Sequence, residues 1–191
     1  MNAENMGFES GYYDYALCGF VGWDNYYDFL NNEFIGPDPR MREIYRVLRD
    51  GGRFVLSSWK RQSDLDWMQD ILIKHFPSIV SENGEVAGQP LVYSQEHPAG
   101  LEQILTCAGF QDVQVYNETA EFVSPDEETW WQQMDSVGWW RYFEKLNTDQ
   151  LARFKRDVFN ALQAKKHKDG IRFSKSVDYV LAEKTVAQNV A

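Results

Sequence analysis

Apolar positions along this 191-residue chain follow two rhythms, one of strands and one of helices. Tyr13 to Val21 (Tyr-Asp-Tyr-Ala-Leu-Cys-Gly-Phe-Val) is a short, nearly continuous apolar run between turn-type flanks, the pattern of a buried parallel strand. Asp38-Pro39 then reads as an N-cap followed by the first helical residue. Met41, Ile44, Tyr45, Val47 and Leu48 recur at helical spacing behind it, and Gly51-Gly52 stops the helix. Arg53 to Trp59 is the next strand. Ser63 opens another helix, with Leu65, Trp67, Met68, Ile71, Leu72 and Phe76 on its buried face and Pro77 beyond it. Ser81 to Ser94 is a loop containing Gly and Pro.

Pro98 to Ala108 reads as a helix closed by Gly109, and a strand centres on Val113, Val115 and Tyr116. Ser124-Pro125 opens a helix whose acidic first turn (Asp126, Glu127, Glu128) suits the positive end of its dipole. Trp130, Trp131, Met134 and Val137 follow. Two tryptophans at adjacent positions do not share one helix face, so one of Trp130 and Trp131, and one of Trp139 and Trp140, is expected to point away from the core. Gly138 breaks this run, a short helix reaches about Leu146, and Thr148 caps a third that carries Leu151, Phe154, Val158, Phe159 and Leu162. Lys165 to Gly170 is a solvated basic turn, Val177 to Ala182 is the last strand, and the polar tail frays.

This alternation predicts an α/β fold. The length suits one domain over 1–191, with residues 124–164 as a helical insertion of the kind that caps a ligand crevice at the carboxyl ends of a sheet. The content of 43% hydrophobic and 25% charged residues is that of a globular chain. A net charge of −10 argues against a nucleic-acid surface and points to small molecules or proteins as partners. Cys18 and Cys107 lie in apolar contexts and read as buried free thiols of a reducing compartment. No apolar run approaches the roughly 20 residues of a membrane span, and the expected location is cytoplasmic. Aromatic residues, 15% of the chain, cluster at Tyr12–Phe34 and Trp130–Phe143. Such clusters serve substrate pockets, cores and dimer seams alike.

Four segments, in order, carry a resemblance. They are Asn2-Ala3-Glu4-Asn5-Met6-Gly7-Phe8, Tyr13 to Cys18, Arg42 to Phe54 (Arg-Glu-Ile-Tyr-Arg-Val-Leu, then Gly-Gly-Arg-Phe), and Leu105-Thr106-Cys107-Ala108-Gly109-Phe110 with Val113 to Val115. Together the chain resembles the class I S-adenosylmethionine (SAM) dependent methyltransferases, in particular the UbiE/MenG-like small-molecule type. The resemblance implies a partial Rossmann-like sheet, strands four to seven of that family, with SAM as cofactor and a small organic methyl acceptor. It places Asn2 and Ala3 by the adenine, and Gly19 and Phe20 by the methionine part of the cofactor. The family's glycine-rich loop and its ribose-binding acid belong to strands before the third. The expectation is therefore that Met1 is an internal methionine of a longer reading frame, and that the chain by itself is inactive. Asn2 stands where the family has an acid, and Asp50 where it has a proline.

Gly19 reads equally well as a strand-end turn residue, and Phe20 as a core residue. Trp23, Trp131 and Trp140 are the candidates for walling the acceptor pocket, with an oligomer seam as the other use of the outward tryptophans. Methyl transfer from a sulfonium needs positioning and desolvation more than a nucleophilic side chain, which fits a sequence without a catalytic constellation. His75, His97 and His167 read as structural or surface residues, and no Cys/His spacing suits a metal. Glu43 and Arg46, at i and i+3, read as a surface ion pair. A runner-up reading is a noncatalytic partner subunit, or a homo-oligomer, whose sheet another chain completes. A hydrophobic-ligand carrier using the aromatic insertion is a third.

Overall fold

The computed structural model describes residues 2–23, 25–28, 31, 33–75, 85–86, 89–90, 96, 98–135, 143–144, 146–185. Strands β1 (Tyr13–Gly19), β2 (Tyr27–Asp28) and β3 (Glu33–Phe34) precede helix α1 (Pro39–Val47), strand β4 (Leu48–Gln62) and helix α2 (Ser63–His75). Then come β5 (Glu85–Val86), β6 (Gln89–Pro90), α3 (Pro98–Cys107), β7 (Phe110–Ser124), α4 (Glu127–Met134), α5 (Thr148–Leu162), β8 (Lys166–His167) and β9 (Gly170–Lys184). The fold is mixed α/β around a central sheet of order β1-β4-β9-β7, with β8 paired to β9; β2-β3 and β5-β6 are separate two-stranded ladders.

β1 and β4 run parallel, joined through α1. α1 starts as its sequence dictates: the Asp38 carboxylate accepts the Arg40 amide at 2.9 Å, and Pro39 needs no donor there. The double glycine behaves differently from the expectation. α1 ends at Val47 and β4 begins at once with Leu48, so Gly51-Gly52 lies inside the strand and does not cap the helix. Tyr13 faces Leu48 but Tyr15 faces Arg53, which forces residues 49–52 into a tight excursion. Gly51 takes a φ of +73°, and a Cβ on Gly52 would lie 2.8 Å from the Arg49 carbonyl oxygen. Both positions therefore require glycine, for different reasons.

The chain divides into two compact units, one of Met1–Arg61, Ser94–Glu118 and Ser176–Ala191, the other of Gln62–Tyr93 and Thr119–Lys175. In the first, one sheet face is covered: Phe54, Leu56, Val180 and Ala182 meet Met41 of α1, Leu101, Ile104 and Leu105 of α3, and Trp23 and Tyr27. Alternate residues of β1 on the other face are bare, with Tyr15 65% and Leu17 79% exposed. Along the β4–β9 pair, Arg53 contacts Glu183 while Lys60 contacts Asp178, so the numbers run in opposite senses and β9 is antiparallel to β4.

In the second unit α2, α4 and α5 pack Leu65, Met68, Leu72, Trp130, Trp131, Met134, Phe154, Val158 and Leu162 against Ile171 and Phe173 of β9. Here three expectations are corrected. Trp130 and Trp131 are both buried, because α4 packs on two sides: Trp130 stacks on Phe173 at 5.7 Å and Trp131 on Phe143 at 4.6 Å. α4 is capped by Asp126, which accepts the Thr129 amide at 2.7 Å, while Ser124 ends β7. α5 is capped by Asn147 and not Thr148, since Gln150 closes a reciprocal capping box with Asn147 at 2.9 Å in each direction. The thiol expectation is also corrected in part: both cysteines are free, but Cys107 is exposed on the last turn of α3 and Cys18 only half-buried. Burial pushes the Cys18 thiol up, away from the reactive thiolate form.

Glu43 and Arg46 do more than decorate α1. The Glu43 carboxylate receives Arg46 Nε and Nη2 at 2.7 and 2.8 Å, and also the Met6 amide at 2.7 Å, tying the amino-terminal segment to the helix. The Arg46 guanidinium, and after it the Met6 amide, hold the Glu43 pKa at about 2, against the usual 4.5. A carboxyl depressed in the folded state stabilises fully above its unfolded pKa and loses that contribution as pH falls toward the folded value. Glu43→Gln is therefore expected to flatten the loss of stability between about pH 4.5 and 2, read from urea midpoints across that range. An unchanged acid slope would show that the clasp contributes nothing.

Candidate functional site

In open sheets with parallel strands joined through helices, ligands bind beyond the carboxyl ends of the strands. In the first unit that position belongs to the ends of β1 and β4, which Gly19↔Ser57 pairing holds side by side. The Phe20 amide donates to the Ser57 carbonyl at 3.0 Å, and Phe20 then turns out of the strand with a φ of +53°. Its ring, 47% exposed, stacks on Trp59 at 4.3 Å between centroids. A non-glycine residue in that left-handed region is unusual, and the stack holds it there.

The segment that follows Phe20 is anchored by Arg40 and by Glu96. Arg40 Nη1 donates to the Gly22 carbonyl at 2.9 Å, and its guanidinium lies 4.8 Å from the Trp23 ring centroid and 5.3 Å from that of Tyr26. Asp38 fixes the guanidinium with Nε–Oδ1 at 3.0 Å and Nη2–Oδ2 at 2.7 Å. The buried Glu96 carboxylate accepts the Trp23 amide on one oxygen and the Ser58 hydroxyl on the other. Glu96 thereby joins the loop after β1 to the end of β4.

Asn2 and Ala3 lie in an exposed turn. The Asn2 side-chain oxygen, the atom expected to face an adenine amino group, accepts the Glu4 amide at 3.0 Å. Glu4 in turn accepts the Tyr26 hydroxyl at 2.7 Å, which links this turn to the segment after Phe20. Gly19 ends β1, and a Cβ there would lie 3.7 Å from Ser57 Oγ, an ordinary contact. Phe20 is at the surface, and Trp23 is buried edge-on to Phe54 in the core. Trp131 belongs to the core of the second unit, and Trp139 and Trp140 lie outside the described residues. Of the histidines, His75 faces Asp157 at 3.6 Å, His167 sits in β8, and His97 is outside the described residues. Among the described residues no group of three or more His, Cys, Asp or Glu is placed to hold a metal, and no helix is long and apolar enough to cross a membrane.

Sequence reasoning passed over Glu96, Ser58, Arg40 and Trp59. The Ser57-Ser58-Trp59 ending of an otherwise apolar strand was a usable signal, since polar groups on the inner face of a buried strand call for partners. Glu96 had none: its partners lie 73 and 38 positions away. Two clefts lie elsewhere in this unit. One, of about 430 Å³, runs between the start of α1 and the end of α3, lined by Phe34, Met41, Ile104 and Ala108, and the other borders it on α3. Neither borders the strand ends, where the polar groups are; we place the candidate site by the polar groups.

No protein-family model matches the chain, and a search of curated proteins gives no match. Among solved structures it is similar to the YcgJ protein of Bacillus subtilis, with TM-score 0.48, 13% identity, and coverage of 98% of this chain and 70% of that one. A SAM-dependent methyltransferase of Methanosarcina mazei gives 0.42 and 14%, over 97% and 66%. Phosphoethanolamine N-methyltransferase 2 of Haemonchus contortus, in complex with phosphomonomethylethanolamine and S-adenosylhomocysteine, gives 0.42 and 15%, over 97% of this chain and 36% of that one.

Proposed function

We propose that this chain forms the carboxyl-terminal portion of a class I SAM-dependent methyltransferase scaffold, acting on a small organic acceptor. One observation carries the reading: β1 and β4 are parallel, joined through α1 and the Gly51-Gly52 excursion, in the segment where the sequence resembles that family most closely. The strand ends that this crossover aligns present Gly19 and Phe20, the residues the resemblance assigns to the cofactor's methionine side. Asn2 and Ala3 take the adenine side in this proposal, while Trp23 and Trp131 are committed to the cores of their own units.

The residues present do not make a complete holder for SAM. The Asn2 acceptor oxygen is already engaged by the Glu4 amide. β1 is the terminal strand of its sheet, with no partner strand beyond it among the described residues. A glycine-lined loop leading into a helix N-terminus, the usual cradle for a nucleotide, is not found beside β1 among the described residues. The chain supplies one wall of the site.

That open edge supports a second reading, a noncatalytic subunit or homo-oligomer that completes its sheet with another chain. A strand whose Leu17 is 79% exposed, with Asp14 its one charged residue and neither lysine nor proline along Tyr13–Gly19, is weakly protected as a sheet edge. Isothermal titration of the purified chain with SAM, run beside light scattering, separates the readings. The expected result is a monomer that gives no heat up to millimolar SAM. Micromolar binding by a dimer would support the second reading, and micromolar binding by a monomer would overturn the account of an incomplete site.

A further inference from the structure

A polar cluster caps the covered face of the sheet in the first unit, and nothing in the cofactor assignment uses it. Phe54, Leu56 and Ser58 succeed one another on that face of β4, as Ala182, Val180 and Asp178 do on β9. The first two of each series lie in the apolar core. The Arg53–Glu183 and Lys60–Asp178 contacts run in antiparallel sense, so Asp178 lies across from the Ser58–Lys60 stretch of β4, beyond the Leu56 and Val180 layer. Ser58, Glu96 and Asp178 are all buried, and Glu96 accepts the Ser58 hydroxyl. One carboxylate holds Ser58, and the other lies on the neighbouring strand beside Lys60.

Their hydrogen bonding is uneven. Asp178 Oδ1 receives Asn117 Nδ2 at 2.9 Å and lies 4.0 Å from Lys60 Nζ. Asp178 Oδ2 is fully buried and has no hydrogen-bond partner. A buried carboxylate oxygen without a donor is strongly unfavourable and calls for an unseen one. The net charge of −10 draws cations toward the chain. Lys60 is 46% exposed at the side chain, so the cluster reaches the surface beside it.

We infer that this cluster receives the basic nitrogen of a small organic amine, whose N–H groups donate to Asp178 Oδ2 and to Glu96. The amine's role as methyl acceptor rests on the methyltransferase reading; its binding does not. Asp178 selects by charge, since a neutral alcohol of the same shape donates one hydrogen bond and brings no cation.

The test is titration of the 191-residue chain, without SAM, with benzylamine and with benzyl alcohol, two probes of one shape that differ in charge. Benzylamine is expected to bind at least 10-fold more tightly than the alcohol, and Asp178→Asn and Glu96→Gln each to abolish that preference while leaving alcohol binding unchanged. Lys60→Met, which removes the competing cation from a half-exposed position, is expected to tighten benzylamine binding by about 10-fold. Equal affinity for the two probes overturns the assignment, as does a folded Asp178→Asn variant that keeps the preference. If both acid variants fail to fold, Lys60→Met still decides: unchanged or weaker benzylamine binding means that Lys60 is itself the missing donor. A chain that binds benzylamine but never SAM keeps this assignment, and one that binds SAM but not the amine loses it alone.

Discussion

Gly170→Ala is expected to be the most damaging small substitution in this chain, lowering stability by about 3–5 kcal/mol. Gly170 begins β9 with a φ of +133°, a region open to glycine and essentially closed to other residues. A Cβ there would lie 2.3 Å from the Ser124 carbonyl oxygen and 3.0 Å from both its carbonyl carbon and Val123 Cγ1. The first two are backbone atoms at the end of β7, so relief requires moving one strand against the other. Gly51→Ala is the control: its φ is also positive, at +73°, but nothing lies within 4 Å of the added carbon. There the cost is conformational alone, about 1–2 kcal/mol. Urea unfolding of the two variants beside the parent measures the difference. Equal shifts for both would mean that the close approach of β7 to Gly170 is wrong.

Trp131→Ala is the second, with an expected loss of about 3–5 kcal/mol. The ring is 8% exposed, parallel to Phe143 at 4.6 Å, and edge-on to Phe154 and Phe159 at 6.1 and 6.2 Å. Lys155 Nζ lies 5.5 Å from its centroid. Removing it opens a cavity among three phenylalanine rings and Lys155 that cannot all close in, so the variant's first phenotype is instability. Acceptor binding therefore has to be measured at a temperature where the variant is still folded, judged by near-ultraviolet circular dichroism. A variant as stable as the parent would free Trp131 for a binding role and contradict its packing.

The local elements were largely readable in the chain because their causes are local. Asp38-Pro39 starts α1 through one side-chain hydrogen bond and a residue that needs no donor, both encoded within three positions. Tyr13 to Gly19 is a strand because of an apolar run, and α2 and α3 follow from spacing and flanking residues. Errors came where two local signals competed. Asn147 and Thr148 are both good caps, and the glutamine three residues after Asn147 decided between them. The Gly51-Gly52 pair stops helices in general; here the pairing of Tyr13 and Tyr15 across the sheet turned it into an excursion of β4. The last strand reads as six residues because Ser174, Lys175 and Ser176 interrupt its apolar run, yet sheet pairing carries it over Gly170–Lys184.

The site was less readable. Gly19 and Phe20 were found at a strand end, and they are there, but the residue that ties their loop to β4 is Glu96, whose chemistry depends on Trp23 and Ser58. Trp130 and Trp131 were expected to divide between inside and outside by helix geometry alone. Burial on two sides of α4 put both inside, which no periodicity within one helix can reveal.

By itself, then, the amino-acid order determined which segments coil and which extend, where α1 begins, and that apolar stripes would seek one another, since these depend on neighbours within a few positions. Only the tertiary structure decided which polar groups meet. Glu96 finds Ser58 and Trp23, Asp178 keeps an unmatched oxygen beside Lys60, and β1 stands at the edge of its sheet with Leu17 bare. The reason is physical: burial and hydrogen-bond satisfaction are properties of the packed chain, set by strand register and helix docking between residues far apart in sequence.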